Sequence, residues 1–329
     1  MCYNCGMKLK EQIYRKLDGA RGRSFSGEEL AEEFGVSRNA VWKAIKSLQA
    51  EGFLITAATN RGYSLSPEND KLTAAGVEKF LKGEGGYSVS VVGSTGSVLD
   101  DLKGQAASGA PAWSVLIAEE QTAGRGRFGR PFYSPRGAGL YIGILLRPKL
   151  SAAETLFITT SAAVAVCEAI ESVSGESASV KWVNDVFLRG KKACGILTEA
   201  SFNVESGGLD HAVVGIGINV KDEAFPPELQ PIATSVFQGR ECPAETRAKL
   251  AAELLERFRF YCEGIPQRTF FPQYKQRSFV IGRRVAVRSG NLNSPAEVLD
   301  IDENCFLIVR FDDGTIHRLS SGEISIKLQ

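Results

Sequence analysis

Apolar residues along this chain recur first with the period of helices and later with the period of strands. Leu9, Ile13 and Leu17 repeat every four residues, as one face of a helix does. Two further helical patterns follow over residues 27–34 and 38–50, and each comes directly after a serine that can cap its first turn. The first fifty residues are therefore predicted to form three short helices.

The second and third helical patterns are separated by Gly35, and two helices joined by a tight glycine-containing turn are typical of a helix-turn-helix. Short alternating runs at 53–57 and 61–65, on either side of Thr59-Asn60, predict a hairpin that would form a wing. Residues 1–66 are thus predicted to be a winged helix-turn-helix domain.

Charge distinguishes the two helices of this motif. The helix over 27–34 carries four glutamates, whereas the helix over 38–50 carries only basic charges. A basic second helix is typical of a recognition helix that enters the major groove of DNA. The alternative is a winged helix that is used only for protein contact. The candidate DNA-binding residues are Ser37, Arg38, Asn39, Lys43, Lys46 and Arg61.

After a polar linker that begins at Pro67, strand-like and helix-like runs alternate in a mixed order. This order predicts an α+β domain over residues 67–278, in which a mixed sheet carries helices on one side. The predicted strands are 87–92, 113–119, 140–146, 180–183, 195–201 and 212–220. The predicted helices are 73–81, 97–107, 152–173 and 245–261.

The last fifty residues or so return to short alternating runs. Asp312-Asp313-Gly314 separates the last two runs and reads as a hairpin turn. A small SH3-like β-barrel over residues 279–329 would close the edges of such strands. The predicted strands are 283–287, 295–301, 305–311 and 315–319.

Composition limits the class of protein. A net charge of +1 over 329 residues gives no general case for nucleic-acid or membrane binding, so any basic surface must be local. No secretory signal is expected at the N-terminus, and the apolar stretch at 152–173 contains enough polar residues to predict a buried core helix. Seven scattered cysteines indicate reduced thiols in the cytoplasm, and Cys2 and Cys5 lack a second pair that would complete a zinc site.

The segment Gly124–Arg130 places three glycines and three arginines in seven positions, directly after an apolar strand. Glycine lets the backbone approach a ligand closely, and arginine can fork onto carboxylate or phosphate oxygens. The spacing also fits a dinucleotide-binding turn, but prolines and another strand follow where that motif requires a helix. An anion-binding loop is predicted, and a solvated basic turn is the alternative.

Further clusters in the middle domain combine glycines or hydroxyls with cations and amides. They are Gly93–Gly96, Lys181–Asp185, Lys191–Leu197 and Gly215–Val220. Individually, they could be a helix cap, a turn, an exposed hairpin tip and a site of close strand packing.

Together, however, these clusters resemble the biotin protein ligase family. The family's glycine–arginine loop resembles Gly124–Arg130, and its lysine–tryptophan–x–asparagine–aspartate segment resembles Lys181–Asp185. Its later lysine falls on Lys192, and its Gly-Ile-Gly-x-Asn strand falls on Gly215–Asn219. The winged helix and the C-terminal barrel are similar to the subclass that is both a ligase and a biotin operon repressor.

The resemblance implies that biotin's carboxylate attacks the α-phosphate of ATP, and that the acyl-adenylate then acylates a lysine of a carrier protein. Because two anions must meet, fixed cations are required where negative charge accumulates. The implied catalytic residues are Lys192, Arg125 and Arg127, and the implied Mg²⁺ ligand is Asp185. The implied biotin-binding residues are Ser94, Thr95, Gln121, Arg125, Gly126, Arg127, Lys192 and Gly195. The implied ATP- and phosphate-binding residues are Arg127, Arg130, Phe132, Lys181, Asn184, Asp185 and Asn219.

This chain departs from the family pattern at three positions. Gly96 stands where asparagine is common, Val183 where proline is common, and Phe132 where tryptophan is common. Gly96 removes a ligand hydrogen bond that asparagine would offer, whereas Val183 and Phe132 preserve apolar bulk.

The resemblance also implies partners: the biotin carboxyl carrier protein of acetyl-CoA carboxylase, operator DNA, and a second copy of the chain when ligand is bound. It implies no membrane association and no tightly bound cofactor. Two alternatives are a lipoate–protein ligase and a ligand-sensing winged-helix transcription factor without ligase activity.

Overall fold

The structure is a computed structural model that describes residues 7–58, 61–83, 86–202, 208–221, 225–289 and 292–326. It divides into two compact units, one extending to Lys79 and including Pro243–Ala248, the other comprising Phe80–Cys242 and the chain from Lys249 onward.

The first unit extends beyond the predicted boundary at residue 66. Thr73 donates a hydrogen bond to the Tyr14 hydroxyl at 3.1 Å, so the chain after the linker packs with the first helix. Arg247 contacts the Asp70 carboxylate at 3.2 Å, which joins a distant segment to the same unit. The division predicted at residue 278 stays a prediction.

The first unit contains the predicted winged helix-turn-helix. Its helices are α1 (Leu9–Asp18), α2 (Gly27–Phe34), α3 (Arg38–Ala50) and α4 (Ala74–Glu78), and its strands are β1 (Ile55–Ala58) and β2 (Gly62–Leu65). The two strands are antiparallel, with Ile55 opposite Leu65. The predicted wing turn at Thr59-Asn60 lies outside the described residues.

Side-chain caps determine where α2 and α3 begin. Ser26 accepts a hydrogen bond from the Glu29 amide at 3.0 Å, and the Glu29 side chain accepts one from the Ser26 amide, which completes a capping box. Ser37 accepts from the Ala40 amide at 3.2 Å. Gly35 ends α2 with φ +65°, a conformation that glycine adopts without steric cost.

The second unit contains a seven-stranded sheet in the order β3-β4-β5-β9-β8-β7-β6. Only the first of these neighbouring pairs is parallel, so the predicted mixed sheet is confirmed. The strands are β3 (Ser88–Val92), β4 (Ser114–Ala118), β5 (Gly139–Leu146), β6 (Ser179–Lys181), β7 (Asp185–Leu188), β8 (Lys191–Phe202) and β9 (Leu209–Asn219).

The helices of this unit lie on both faces of the sheet, so the prediction of helices on one side is wrong. They are α5 (Val98–Ala107), α6 (Thr155–Ser174), α7 (Thr246–Glu263), which begins in the first unit, and α8 (Phe271–Arg277). Leu197 packs against the cluster that contains α5, whereas the next residue, Thr198, accepts a hydrogen bond from Thr159 of α6 at 2.7 Å. Successive strand residues point to opposite faces, so α5 and α6 cover opposite faces.

The longest apolar helix has the length and composition to cross a membrane, since an 18-residue window within Ala152–Ser174 has a mean hydropathy of 1.5. In the structure 72% of that window is buried. Ile158, Ala162 and Val166 of α6 are completely inaccessible to solvent. The predicted buried core helix is confirmed.

The C-terminal part of the second unit is a five-stranded antiparallel sheet in the order β13-β12-β11-β10-β14. The predicted turn at Asp312-Asp313-Gly314 is present, with Gly314 at φ +85°. The last strand was not predicted, because its four residues are too few for a clear alternating pattern. The strands are β10 (Arg284–Ser289), β11 (Leu292–Ile301), β12 (Leu307–Phe311), β13 (Ile316–Leu319) and β14 (Glu323–Ile326).

Candidate functional site

A cleft opens on the α5 face of the large sheet, with about 820 Å³ of space that includes its open mouth. The structure brings most of the predicted biotin and ATP residues to its walls. They are Gln121, Arg125, Gly126, Arg127, Arg130, Phe132, Lys181, Asn184, Asp185, Lys192 and Gly195.

Two glycines make the floor of this cleft flat. Gly195 of β8 and Gly217 of β9 are direct cross-strand partners. A methyl group built on Gly217 would lie 2.7 Å from Cζ of Phe132, and one built on Gly195 would lie 3.1 Å from Nζ of Lys192. The absence of side chains at both positions therefore gives Phe132 and Lys192 the room that they occupy.

A bulge in β8 brings Lys192 to the floor of the cleft. Val186 pairs with Cys194 and Phe187 pairs with Lys192, which leaves Ala193 as an extra residue. Because of this residue, Lys192 and Gly195 lie on one face although three positions separate them. The tip of the hairpin between β7 and β8 is at Arg189 and Gly190. The alternative interpretation of Lys192 as part of an exposed hairpin tip is therefore wrong.

The Lys192 ammonium group forms an ion pair, and hydrogen bonds hold both the amide and the carbonyl group of this residue. Its Nζ lies 2.6 Å from Oδ1 of Asp185, at the start of β7. Its amide donates to the carbonyl oxygen of Ile232 at 2.9 Å, and its carbonyl oxygen accepts from the Thr234 amide at 2.9 Å. The side chain is 35% exposed, so it is accessible from the cleft.

The glycine–arginine loop folds back on itself as a short stem with a turn at its tip. The Gly126 amide donates to the Arg130 carbonyl oxygen at 2.7 Å, and the Phe132 amide donates to the Gly124 carbonyl oxygen at 2.8 Å. At the tip, Phe128 has φ +57° and its side chain is 70% exposed. No helix follows the loop, in keeping with the rejection of a dinucleotide-binding turn.

The arginines of the loop have different surroundings. Arg127 donates to the Asn184 side-chain oxygen at 3.3 Å, and Asn184 in turn donates to the Ile196 carbonyl oxygen at 2.7 Å. Arg130 lines the cleft. Arg125 instead contacts two carboxylates, Asp100 and Glu199, and the latter lies at 3.0 Å.

These contacts change the ionisation of the two carboxyl groups. Hydrogen bonds from Arg125 and then from Lys103 hold the pKa of Asp100 well below its usual value. Burial acts to raise the pKa of Glu199, but hydrogen bonds from Lys103 and Arg125 outweigh it and lower that pKa. Both groups are therefore carboxylates at neutral pH.

Three of the predicted site residues do not line the cleft. Ser94 is exposed, and Thr95 donates to Oδ2 of Asp101 at 2.5 Å. Asn219, at the end of β9, donates to the Thr234 carbonyl oxygen at 3.1 Å. Their assignment to biotin or ATP stays a prediction.

The cleft also contains residues that the sequence did not single out for the site. Ser97 precedes α5 and Phe128 forms the loop tip, while Ile324 comes from the C-terminal sheet. Trp182 lines the cleft and donates from its indole nitrogen to the Cys305 carbonyl oxygen at 2.9 Å, and the peptide that follows it is cis. Trp182 stood inside a quoted motif, but no pattern indicated that the last strand reaches this cleft.

The described residues contain no group of three or more histidines, cysteines, aspartates or glutamates that could hold a metal ion. Among the described residues that line the cleft, Asp185 is the one with an acidic side chain. A single carboxylate fits Mg²⁺ that is held mainly by phosphates and water. The five described cysteines form no disulfide, and Cys2 and Cys5 lie outside the described residues.

The predicted DNA-binding residues of the first unit share the outer surface of the winged helix. Arg38, Asn39, Lys43 and Lys46 are all exposed along α3, and Arg61 is exposed beside the wing. Ser37 uses its hydroxyl oxygen to cap the same helix. Trp42, which is 48% exposed on this surface, was missed because its spacing alone does not separate an outer from an inner aromatic.

Comparison with known proteins agrees with this arrangement. Residues 95–219 match the biotin/lipoate A/B protein ligase family, residues 10–64 match an HTH domain, and residues 280–327 match the biotin protein ligase C terminal domain. The chain is 32% identical to the bifunctional ligase/repressor BirA of Bacillus spizizenii, over 97% of this chain and 98% of that protein. This chain belongs to the biotin protein ligase family.

A second relative agrees in length, and a solved structure agrees in fold over part of the chain. The bifunctional ligase/repressor BirA of Escherichia coli is 30% identical over 94% of both chains. The structure of the Aquifex aeolicus biotin protein ligase in complex with biotin and ATP is 26% identical, with a TM-score of 0.62. It covers 73% of this chain, and 98% of that chain is matched. The family resemblance drawn from the glycine–arginine loop and the clusters that follow it is confirmed.

Proposed function

We infer that this chain is an ATP-dependent biotin protein ligase that also represses transcription in response to biotin. The observation that carries the ligase assignment is the convergence of Lys192, Arg127, Arg130 and Lys181 on a cleft with a glycine floor. Two anions can meet there, because fixed cations surround the place where they would react.

The first step joins biotin to AMP. A carboxylate oxygen of biotin attacks the α-phosphorus of ATP and forms a C–O–P linkage. The bond between that phosphorus and the bridging oxygen to the β-phosphate breaks, and diphosphate leaves with the electron pair. Negative charge builds up on the oxygens around the α-phosphorus, so a cation beside them lowers the barrier.

Lys192 is the residue that we assign to this charge. Its side chain lies over the glycine floor beside the Phe132 ring, and the bulge at Ala193 directs it into the cleft. Asp185 holds the ammonium group in place at 2.6 Å. No covalent intermediate with the enzyme is required.

The remaining cleft residues divide between the two substrates. We assign Gln121, Gly126 and Gly195 to biotin, together with Ser94 and Thr95, because Thr95 forms a β-bridge with Gln121. We assign Arg130, Phe132, Lys181, Asn184 and Asn219 to ATP, and Arg127 to the junction of the two. Mg²⁺ would neutralise the phosphates of ATP, and Asp185 would hold it. Arg125 is the exception, because its guanidinium group is occupied by Asp100 and Glu199.

The second step transfers biotin to a protein. The neutral amine of the acceptor lysine attacks the carbonyl carbon of biotinyl-5'-AMP, and an amide forms as AMP leaves and the amine loses a proton. We propose that the acceptor is the biotin carboxyl carrier protein of acetyl-CoA carboxylase.

The repressor function is assigned to the winged helix. The exposed basic surface of α3 fits the major groove, and two copies of the chain would read two half-sites of an operator. We propose that dimerisation follows ligand binding and that the protein acts in the cytoplasm.

Incubation of the protein with ATP, Mg²⁺ and biotin, followed by mass spectrometry, tests the ligase assignment. We expect biotinyl-5'-AMP and, with a carrier domain present, one added biotin on its lysine. Activity with lipoate alone would support a lipoate ligase, and no adenylate with either acid would support a sensor without ligase activity.

Lys192→Ala is expected to slow single-turnover adenylation by about 10²- to 10³-fold while the protein stays folded. Lys191→Ala is the matched control, because its Nζ donates to the Gln230 carbonyl oxygen outside the cleft. Equal rates for the two variants would remove Lys192 from the reaction.

A further inference from the structure

Arg125 joins the glycine–arginine loop to two elements of regular structure. Its Nη2 donates to Oδ1 of Asp100 at 2.8 Å and to Oε1 of Glu199 at 3.0 Å, and its Nη1 donates to the other Asp100 oxygen. Asp100 lies in the first turn of α5, and Glu199 lies in β8. The guanidinium group therefore binds a helix and a strand at once.

Lys103 completes the arrangement. Its Nζ lies 2.9 Å from Oδ1 of Asp100 and 2.7 Å from Oε2 of Glu199. The four side chains, which we call the α5–β8 charge cluster, contain two cations and two carboxylates and have no net charge. A network with a forked arginine holds its geometry better than an isolated exposed pair does.

The position of Arg125 in the stem connects the α5–β8 charge cluster to the conformation of the loop. Arg125 stands opposite Pro131 in the stem, between the two backbone hydrogen bonds that close it. Holding Arg125 therefore holds both sides of the stem. The tip beyond it carries Arg127, which reaches Asn184, and ends at Arg130, which lines the cleft.

We propose that Asp100 and Glu199 are positioning residues that hold Arg125 as the anchor of the glycine–arginine loop, with Lys103 balancing their charge. The anchored loop presents Arg127 and Arg130 to the substrates, and Arg125 acts through the two carboxylates instead of touching biotin. This proposal rests on the proposed function and replaces the biotin contact that the resemblance implied for Arg125.

A double-mutant cycle separates the two roles of Arg125. We would measure kcat/KM for biotin-dependent adenylation in the full-length protein with Arg125→Ala, with Asp100→Asn plus Glu199→Gln, and with all three changes. An anchor predicts that each lowers kcat/KM by about tenfold and that the triple variant is no worse, because contacts in one network are not additive. Multiplied losses in the triple variant, or improved biotin use after loss of the carboxylates, would overturn the proposal.

Arg125→Lys adds a second distinction. Lysine keeps the charge but cannot fork onto two carboxylates, so it should restore less than half of the lost kcat/KM. Full recovery would mean that charge alone matters and would contradict an anchoring role.

Trypsin provides a readout that does not depend on catalysis. The anchor predicts cleavage after Arg127 that is about fivefold faster in both Arg125→Ala and Asp100→Asn plus Glu199→Gln, because a freed loop opens more often. Glu297→Gln is the matched control, since it removes a carboxylate that pairs with Arg310 at 2.6 Å in the C-terminal sheet.

Wild-type cleavage rates in the anchor variants would overturn the proposal. The absence of adenylate from the wild-type protein would instead refute the proposed function, and the cleavage rates would still report on the anchor.

Discussion

Gly217 and Phe132 fit together so closely that a single methyl group on the glycine would collide with the ring. The ring lies over the paired glycines of β8 and β9, and its backbone amide closes the stem of the glycine–arginine loop. A strand position without a side chain thus determines where the loop returns to the sheet. This relationship connects the motif of β9 to the motif of the loop, although about 85 residues separate them.

Gly217→Ala should therefore damage catalysis more than folding. The added methyl group must displace Phe132 and shift the loop, and a shift of about 1 Å in positioning groups can cost about 10²-fold in rate. We expect kcat/KM for adenylation to fall by at least about tenfold, with about 1–3 kcal/mol lost from the free energy of unfolding. Steady-state kinetics and urea denaturation measure the two effects.

Gly104→Ala is the control for this prediction. Gly104 is exposed in α5, and a methyl group there would meet nothing within 4 Å. The substitution should leave adenylation unchanged and stabilise the protein by up to about 1 kcal/mol, because alanine favours helix. Wild-type activity in Gly217→Ala would show that the position of Phe132 is not critical.

The sequence identified which motifs form the site, because each carries its own residue pattern and their order is that of the family. It could not show how they meet. The orientation of Lys192 depends on a bulge whose register is determined by pairing with β7, and no local pattern announces it. Ile324 reaches the cleft from a strand of four residues, too short for an alternating pattern.

The surroundings of Arg125 show the same limit. The motif indicated a cation for a substrate anion, but Asp100 and Glu199 lie 25 and 74 positions away and become its partners only in the folded sheet. The helices were placed on one side because single runs do not reveal which strand face each helix covers. Leu197 and Thr198, adjacent in β8, face different helices.

The surface of α3 should contain two kinds of DNA contact. Lys43 is placed for a phosphate, so Lys43→Ala should weaken binding to all sequences and reduce the slope of log K against log salt by about one. Trp42 is exposed and apolar, and we expect it to contact a base edge, so Trp42→Ala should weaken binding to a selected sequence and leave the slope unchanged.

Fluorescence anisotropy with a duplex selected from a random library, measured against an unrelated duplex at several salt concentrations, tests both effects. Lys8→Ala, at the exposed start of α1, removes the same charge outside this surface. A smaller slope for Lys8→Ala, or equal weakening on both duplexes for Trp42→Ala, would contradict the assignment of α3.

The α5–β8 charge cluster should also give the protein a dependence of stability on pH. The Arg125 and Lys103 hydrogen bonds hold the pKa of Asp100 below its usual value of 3.8. A lowered pKa means that the carboxylate stabilises the folded state above that usual value, and that this stabilisation is lost as the pH falls through the lower, folded value. Asp100→Asn lacks this carboxylate and should lose the part of the dependence that comes from Asp100.

We expect the wild-type protein to exceed Asp100→Asn by no more than about 1 kcal/mol in free energy of unfolding at pH 7, because Asp100 is half exposed and solvent screens the pair. The difference should persist to about pH 5 and shrink below about pH 4, since the carboxylate of the wild-type protein becomes protonated there. Added salt near 1 M, where the Debye length is about 3 Å, should reduce it at pH 7. Urea denaturation of both proteins at about pH 7, 5 and 3 measures this trend. A difference that stays constant to pH 3, or grows as the pH falls, would mean that Asp100 does not stabilise the fold through its charge.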